Sequence, residues 1–387
     1  MSALVPGAAT WGVFWGAWGA LLPAVKASVG ASNAELGLAL LAIPVGAVPG
    51  LLVTGRLIDR FGERALATIL VAFGFAVAML GLVGSLPLLA GVLLLIGAAS
   101  GAVEVALAAV GSLQEVATGQ RLLTLVQAAT PIATVLAAPA AGLALALGAS
   151  VPGILAVVAV LVLVSSAAAP LARVPRRPAA KDSVGARVRR PGLWRDRSLW
   201  VLGGIAAAVL FVENAVEQWG ALHLTEAFSA GPFLASLAPA IYMACLAGGR
   251  VIAHAIGHRV SDRFLVLLAA PGVLVGLGVA ALAPTPWLAL VGFGVAGLGN
   301  AAAVPTIQGL AGRLADPEQR GAAVSVVTTL SYGGFLASPA LVGALAGTVG
   351  LTQALGLIAM LGLPVFALVL RSTAMNSPAA RRADARG

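Results

Sequence analysis

Twelve apolar runs, each long enough to cross a lipid hydrocarbon core as a helix, leave this chain almost no choice of fold class. A core of about 30 Å takes about 20 apolar residues per helix. Runs of that order fall at approximately 7–25, 34–54, 65–84, 87–111, 121–147, 151–171, 199–222, 231–254, 264–283, 286–312, 320–347 and 350–371. Lipid offers the backbone no hydrogen-bond partners, so such runs must close their own bonds as helices. Of 387 residues, 60% are hydrophobic and 10% charged, against roughly 45–50% and 25% in soluble domains. The expected fold is an all-α membrane protein with twelve transmembrane helices.

The cations orient it. Lys26 aside, the 23 Lys and Arg residues fall in segments that one alternating topology puts on a single side. This positive-inside pattern predicts that both termini are cytoplasmic, in a multi-pass membrane protein. It also accounts for the net charge of +9 without a nucleic-acid partner. The segment 172–198 holds nine of the cations together with Pro175, Pro178 and Pro191, and reads as a solvated basic linker near anionic headgroups. It divides the chain into an N-terminal six-helix bundle (1–171) and a C-terminal one (199–371), with a cytoplasmic tail at 372–387. The first run has no basic region before it, so it reads as a span and not as a signal peptide.

Between the second and third runs lies Gly55-Arg-Leu-Ile-Asp59-Arg60-Phe-Gly62-Glu-Arg64, and between the eighth and ninth lies a weaker echo, Gly249-Arg250 with Gly257 and Arg259. The echo has Ala253 near the place of Asp59. Six plus six helices with a repeated turn imply two bundles related by an axis along the membrane normal, with a binding site between them at mid-depth.

These motifs resemble the major facilitator superfamily. The pattern Gly55-x-x-x-Asp59-Arg60-x-Gly62-x-Arg64 is similar to that family's signature between its second and third helices. Gly101-Ala-Val-Glu104, Glu213-Asn-Ala-Val-Glu217-Gln-Trp219, Gly297-Leu-Gly-Asn300 through Pro305, and Ser331-Tyr-Gly-Gly-Phe335 with Pro339 look like its rhizopine-transport-like and fucose-permease-like bacterial branch. Where that branch commonly has an acid, an Asn and a His, this chain has Gln218, Ala108 and Gln127. The resemblance implies alternating-access transport of a small polar organic solute, sugar- or cyclitol-like.

Only three of the fourteen acids, Glu104, Glu213 and Glu217, lie well inside runs. A charge at the bilayer centre costs about 2.5–3.5 kcal/mol on insertion scales, so intramembrane acids are functional candidates. A carboxylate in a dry site holds its proton and gives it up when water enters. All three are therefore candidates for proton coupling. With every Lys and Arg assigned outside the spans, protonation is expected in place of ion pairing. Glu213 also joins the expected substrate set.

Trp11, Trp15 and Trp18 share one face of the first span. Trp11 reads as a headgroup anchor, whereas Trp15, Trp18 and, from the seventh span, Trp219 offer flat aromatic surface to a ring-shaped solute. Gln127, Gln218, Asn300, Gln308 and Tyr332 add hydrogen-bonding groups, and each is equally suited to gluing helices together. Tyr242 is less persuasive. Gly55, Asp59, Arg60, Gly62 and Arg64 are expected to form a cytoplasmic gate, with Asp59 near the positive N-terminal end of the eleventh span. The weaker echo predicts that this latch is strong in the first half and slack in the second.

His223, His254 and His258 fall near expected helix ends and read as solvated; two of them at i, i+4 with no third ligand predict no metal site. Cys245 is the single cysteine, so no disulfide framework or cofactor is expected. Gly292-Phe-Gly294-Val-Ala-Gly297 lies within a span with no strand before it, so close helix packing is the reading and an enzyme is not expected. The partners expected are a small-molecule substrate, protons and the lipid bilayer, for a monomer. Two further functions stay open: proton-driven efflux of drugs or amphipathic metabolites, and a transporter-like sensor without flux.

Overall fold

A computed structural model describes residues 4–61, 63–118, 122–167, 193–257, 259–316 and 319–372. The helices in chain order are α1 (Leu4–Val29), α2 (Asn33–Leu40), α3 (Ala42–Phe61), α4 (Glu63–Leu80), α5 (Leu86–Thr118), α6 (Leu122–Ala146), α7 (Val151–Ser166) and α8 (Arg197–Phe228). They continue with α9 (Pro232–Ile256), α10 (Asp262–Leu267), α11 (Ala269–Leu282), α12 (Pro286–Asn300), α13 (Ala303–Leu314), α14 (Arg320–Val349), α15 (Leu351–Ala359) and α16 (Gly362–Arg371). Among the described residues, ten stretches are long and apolar enough to cross a membrane, and Arg64–Leu80 and Val151–Ser166 are shorter apolar helices. Together they make the twelve expected passes. Large apolar side chains point outward along them, Leu136 being 65% exposed and Leu52 71%, a surface suited to lipid.

Four passes are each broken into two helices, and proline chemistry says where. Pro44, Pro271, Pro305 and Pro364 lack the amide that would bond the carbonyl four residues earlier. Those carbonyls belong to Leu40, Leu267, Ala301 and Met360, each at the junction between α2 and α3, α10 and α11, α12 and α13, and α15 and α16. The tight connections are capped locally. Ser32 and Glu35 close a capping box at the start of α2. Ser150 accepts from Gly153 N–H at the start of α7, and Gly350, at φ +88°, turns the chain from α14 into α15.

The chain forms two compact units, one comprising Met1–Ala179 with Gln218–Ala240 and the other Ala180–Glu217 with Ile241–Gly387. Within the first, α1 lies against α6 so closely that a Cβ at Gly12 or Gly16 would collide with the carbonyl of Thr130 or Thr134. The side chains return the contact: Thr130 Oγ1 donates to Ala8 O at 3.2 Å and Thr134 Oγ1 to Gly12 O at 3.1 Å. α3 and α5 interlock in the same manner through Gly46, Gly50 and Gly97. Within the second unit, Gly334 of α14 meets the Ala207 carbonyl of α8, and Gly297 of α12 meets the Tyr242 carbonyl of α9. First–fifth and second–fourth pairing is thus repeated as seventh–eleventh and eighth–tenth. The glycines of the Gly292–Gly297 string serve helix packing, as the sequence predicts; close backbone approach through small residues is how helices associate in lipid.

Candidate functional site

The second unit gathers the chain's chemistry where α8, α9 and α12 meet. Glu213 and Glu217 lie one turn apart on α8, both half-buried. Arg250 of α9 brings Nη2 to 3.8 Å from Glu213 Oε2. This corrects the expectation that no embedded cation is available. Arg250 does not sit in the loop after the eighth span but inside α9, with Val251, Ile252 and Ala253 following it in the helix.

The pair is close but not hydrogen-bonded, and Glu213 Oε2 is buried with no hydrogen-bond partner. At about 4 Å the attraction is about 4 kcal/mol for an effective dielectric near 20. That gross figure is offset by desolvation of both ions. It is reduced further by solvent screening, because the Arg250 side chain is 44% exposed against 14% for Glu213. The net attraction is therefore well below that gross figure.

Tyr242, which sequence reasoning discounted, is fully buried on α9. Its hydroxyl accepts a hydrogen bond from Asn300 Nδ2 of α12 at 2.9 Å. The Asn300 Oδ1 atom is buried without a partner, so an acceptor stays open there. Asn300 ends α12, and the missing amide of Pro305 ends the helix at that place.

In the first unit, Trp18 Nε1 donates to Gln218 Oε1 at 3.0 Å, joining α1 to the far part of α8. Phe14 stacks on Trp18 with ring centroids 6.5 Å apart, and meets Trp15 edge-on at 5.2 Å. Trp219 is fully buried and its indole N–H has no hydrogen-bond partner. Trp18 and Gln218 are thus brought together, as a polar contact inside an aromatic layer. Trp11 is not a headgroup anchor, since its indole N–H donates to Ser100 Oγ of α5 at 2.8 Å.

The remaining candidates are more scattered. Glu104 is half-buried on α5, and Gln127 is exposed on α6. Gln308 Nε2 reaches Thr328 Oγ1 at 3.4 Å, tying α13 to α14, and Tyr332 lies 6.1 Å from the Phe335 ring. Gly55 is exposed on α3, and Arg60 lies over the Phe61 ring at 5.3 Å. Arg64 is exposed on α4. Gly62 and the Asp59 side chain lie outside the described residues, as does His258. His223 is not solvated but 1% exposed, edge-on to Phe228 at 5.8 Å, because α8 runs several residues beyond the expected span end.

One group escaped sequence reasoning altogether. Lys26, in the last turn of α1, lies 2.5 Å from Glu226 near the end of α8. Asn33 bridges the two, accepting from Lys26 at 2.5 Å and donating to Glu226 at 3.2 Å. Lys26 stands apart from the other cations in the expected topology, but its pairing with Glu226 across 200 residues has no local signal. A separate groove along α1, α6 and α7, lined by Val13, Leu136, Ile154, Val157 and Leu161 among others, is apolar throughout and holds none of these groups.

Comparison with known proteins matches the chain to the family model described as Major Facilitator Superfamily over residues 5–295 and 219–386. It is 27% identical over 363 residues to an uncharacterized MFS-type transporter of Yersinia pestis, covering 92% of this chain and 91% of that protein. It is 25% identical over 174 residues to Membrane protein MosC of Rhizobium meliloti, covering 45% and 42% of the two chains. Among solved structures, a mutant of the nucleoside transporter NupG superposes with TM-score 0.81 at 14% identity, over 97% of this chain and 99% of that one. A D-xylose-proton symporter superposes with TM-score 0.73 at 14% identity, over 95% and 96%.

Proposed function

The chain belongs to the major facilitator superfamily, and from that premise we propose that it is a proton-coupled carrier of a small, sugar- or cyclitol-like organic solute working by alternating access. That it is a multi-pass membrane transporter and not an enzyme follows from the family itself. The finer reading rests on one observation, the carboxylate of Glu213 facing Arg250 inside apolar helices, with Glu217 one turn along.

A proton arriving at Glu213 removes the charge that Arg250 faces, so protonation changes the electrostatics of the whole cluster. Glu217 offers a second acceptor. Glu104 of the first unit is proposed as a further coupling carboxylate. Trp15, Trp18, Gln127, Gln218, Trp219, Asn300, Gln308 and Tyr332 are proposed as the substrate-contacting set. A D-xylose-proton symporter with the same fold supports the coupling and the solute class by analogy of fold.

In the cell the protein is proposed to lie as a monomer in a bacterial inner membrane with both termini cytoplasmic. The proposed bundles are 1–171 and 199–371, with 172–198 as linker and 372–387 as tail. Gly55–Arg64 is proposed as a gate element that touches no solute. Asp59→Asn should change both transport rate and cytoplasmic accessibility, and an unchanged pair of readings removes that role.

The reading as a whole is tested in proteoliposomes with an acid exterior and labelled D-xylose and myo-inositol. Accumulation that collapses on adding a protonophore supports it. Accumulation indifferent to the protonophore overturns the coupling.

A further inference from the structure

The Glu213–Arg250 pair narrows the solute class, on the reading above that Glu213 carries the transported proton. Arg250 is a permanent cation within α9, and among the described residues its ion pair is with Glu213, at a distance too long for a hydrogen bond. Its planar guanidinium presents donors in a fork that matches a carboxylate two by two, and its side chain is nearly half exposed. Glu213 in turn has an oxygen with no donor. Neither group satisfies the other.

The charged and titratable groups that bear on Glu213 and its neighbours are Arg250 and Tyr242 from α9 and Glu217 from α8 itself. Asn300 of α12 adds a neutral amide. Two carboxylates face one guanidinium, so without a ligand the cluster is neutral when the carboxylates hold one proton between them. A second proton makes the cluster cationic and leaves Arg250 without an ionic partner, an arrangement that costs free energy once the site closes to water. One incoming anion restores neutrality. An anion arriving without the proton would compete with Glu213 for the same guanidinium.

From this charge count we infer that the solute carries a carboxylate, which takes the place of Glu213 at Arg250, and that one proton travels with each anion. The proton is drawn from water on the entry side, bonds a carboxylate oxygen of the Glu213–Glu217 pair, and returns to water on the exit side as the anion leaves. The summed charge crossing the membrane is zero. The open Asn300 Oδ1 acceptor suits a hydroxyl on the same molecule, so the class is a small hydroxy acid or sugar acid, in preference to a neutral sugar.

The test uses full-length protein in proteoliposomes with an acid exterior, and labelled probes in matched pairs: D-glucuronate with D-glucose, and D-gluconate with sorbitol. The expected result is at least tenfold preference for the acid within a pair, and uptake unaffected when potassium and valinomycin impose a membrane potential. Arg250→Gln should lower acid uptake at least tenfold. Arg250→Lys, which keeps the charge but not the fork, should raise KM with a smaller effect on kcat, and it serves as the readout if the glutamine variant does not fold. Protonophore-sensitive accumulation of the neutral partners, spared by Arg250→Gln, overturns the carboxylate inference and leaves the proton-coupled reading standing. Protonophore-insensitive accumulation of either class overturns the proton-coupled reading, and the one-proton inference with it. No accumulation of any of the four overturns this solute class.

Discussion

Arg250 on α9 faces Glu213 on α8 at 3.8 Å, a cation and an acid within two largely apolar helices. Removing either partner leaves the other charge in poor surroundings, whereas removing both does not. Glu213→Gln and Arg250→Gln are each expected to destabilise the protein by about 1–2 kcal/mol, the half-exposure of Arg250 keeping the figure below that of a fully buried pair. The double variant should lose less than the sum. Unfolding in detergent, analysed as a double-mutant cycle, checks this.

The Trp18–Gln218 bond is buried on both sides. Trp18→Phe keeps most of the apolar volume but leaves Gln218 Oε1 without its donor, at an expected cost of about 1–3 kcal/mol. Adding Gln218→Leu removes the stranded acceptor, so the pair of changes should be milder than Trp18→Phe alone. Thermal melting of the three variants gives the order.

Gly333 and Gly334 are neighbours on α14 with opposite expectations. A Cβ at Gly334 would collide with the Ala207 carbonyl, while one at Gly333 meets nothing within 4 Å. Gly334→Ala is expected to cost about 1–3 kcal/mol through forced separation of α14 from α8. Gly333→Ala should be neutral or stabilising by up to about 1 kcal/mol, from helix propensity alone. Comparing the two melting temperatures checks it.

Lys26 and Glu226 are only partly buried, so their pair is worth about 0.2–1 kcal/mol. The coupling in a Lys26→Gln, Glu226→Gln cycle should shrink as salt rises from low to molar concentration. A salt-independent coupling would mean that Asn33, which bonds both, carries the contact by itself.

Most of the fold was legible because lipid imposes one rule on every span: a long apolar run is a helix. The broken passes follow Pro44, Pro271, Pro305 and Pro364, each four residues past a junction, but Pro131, Pro139, Pro239 and Pro339 lie inside unbroken helices, so a proline alone does not mark a break. The site was less so. Glu213, Glu217 and Asn300 stand out as polar residues in apolar runs, but Arg250 looks like one more cation at a span end. Its long side chain reaches back toward α8, and side-chain reach leaves no trace in hydropathy. The burial of His223 is hidden for the complementary reason, because α8 continues beyond the point where its apolar run thins. Lys26 with Glu226, and Trp18 with Gln218, are meetings of chain segments 200 residues apart, and no local pattern encodes them.

On the proposed function, Glu213 carries the proton that moves with the solute. The direct measurement is internal pH, read by a trapped dye in proteoliposomes, after a pulse of D-glucuronate or D-xylose with no gradient imposed. A transported solute is expected to acidify the lumen, and Glu213→Gln to abolish the acidification while solute counterflow persists. Solute entry with no change of internal pH in the wild type, or full acidification retained by Glu213→Gln, would contradict it.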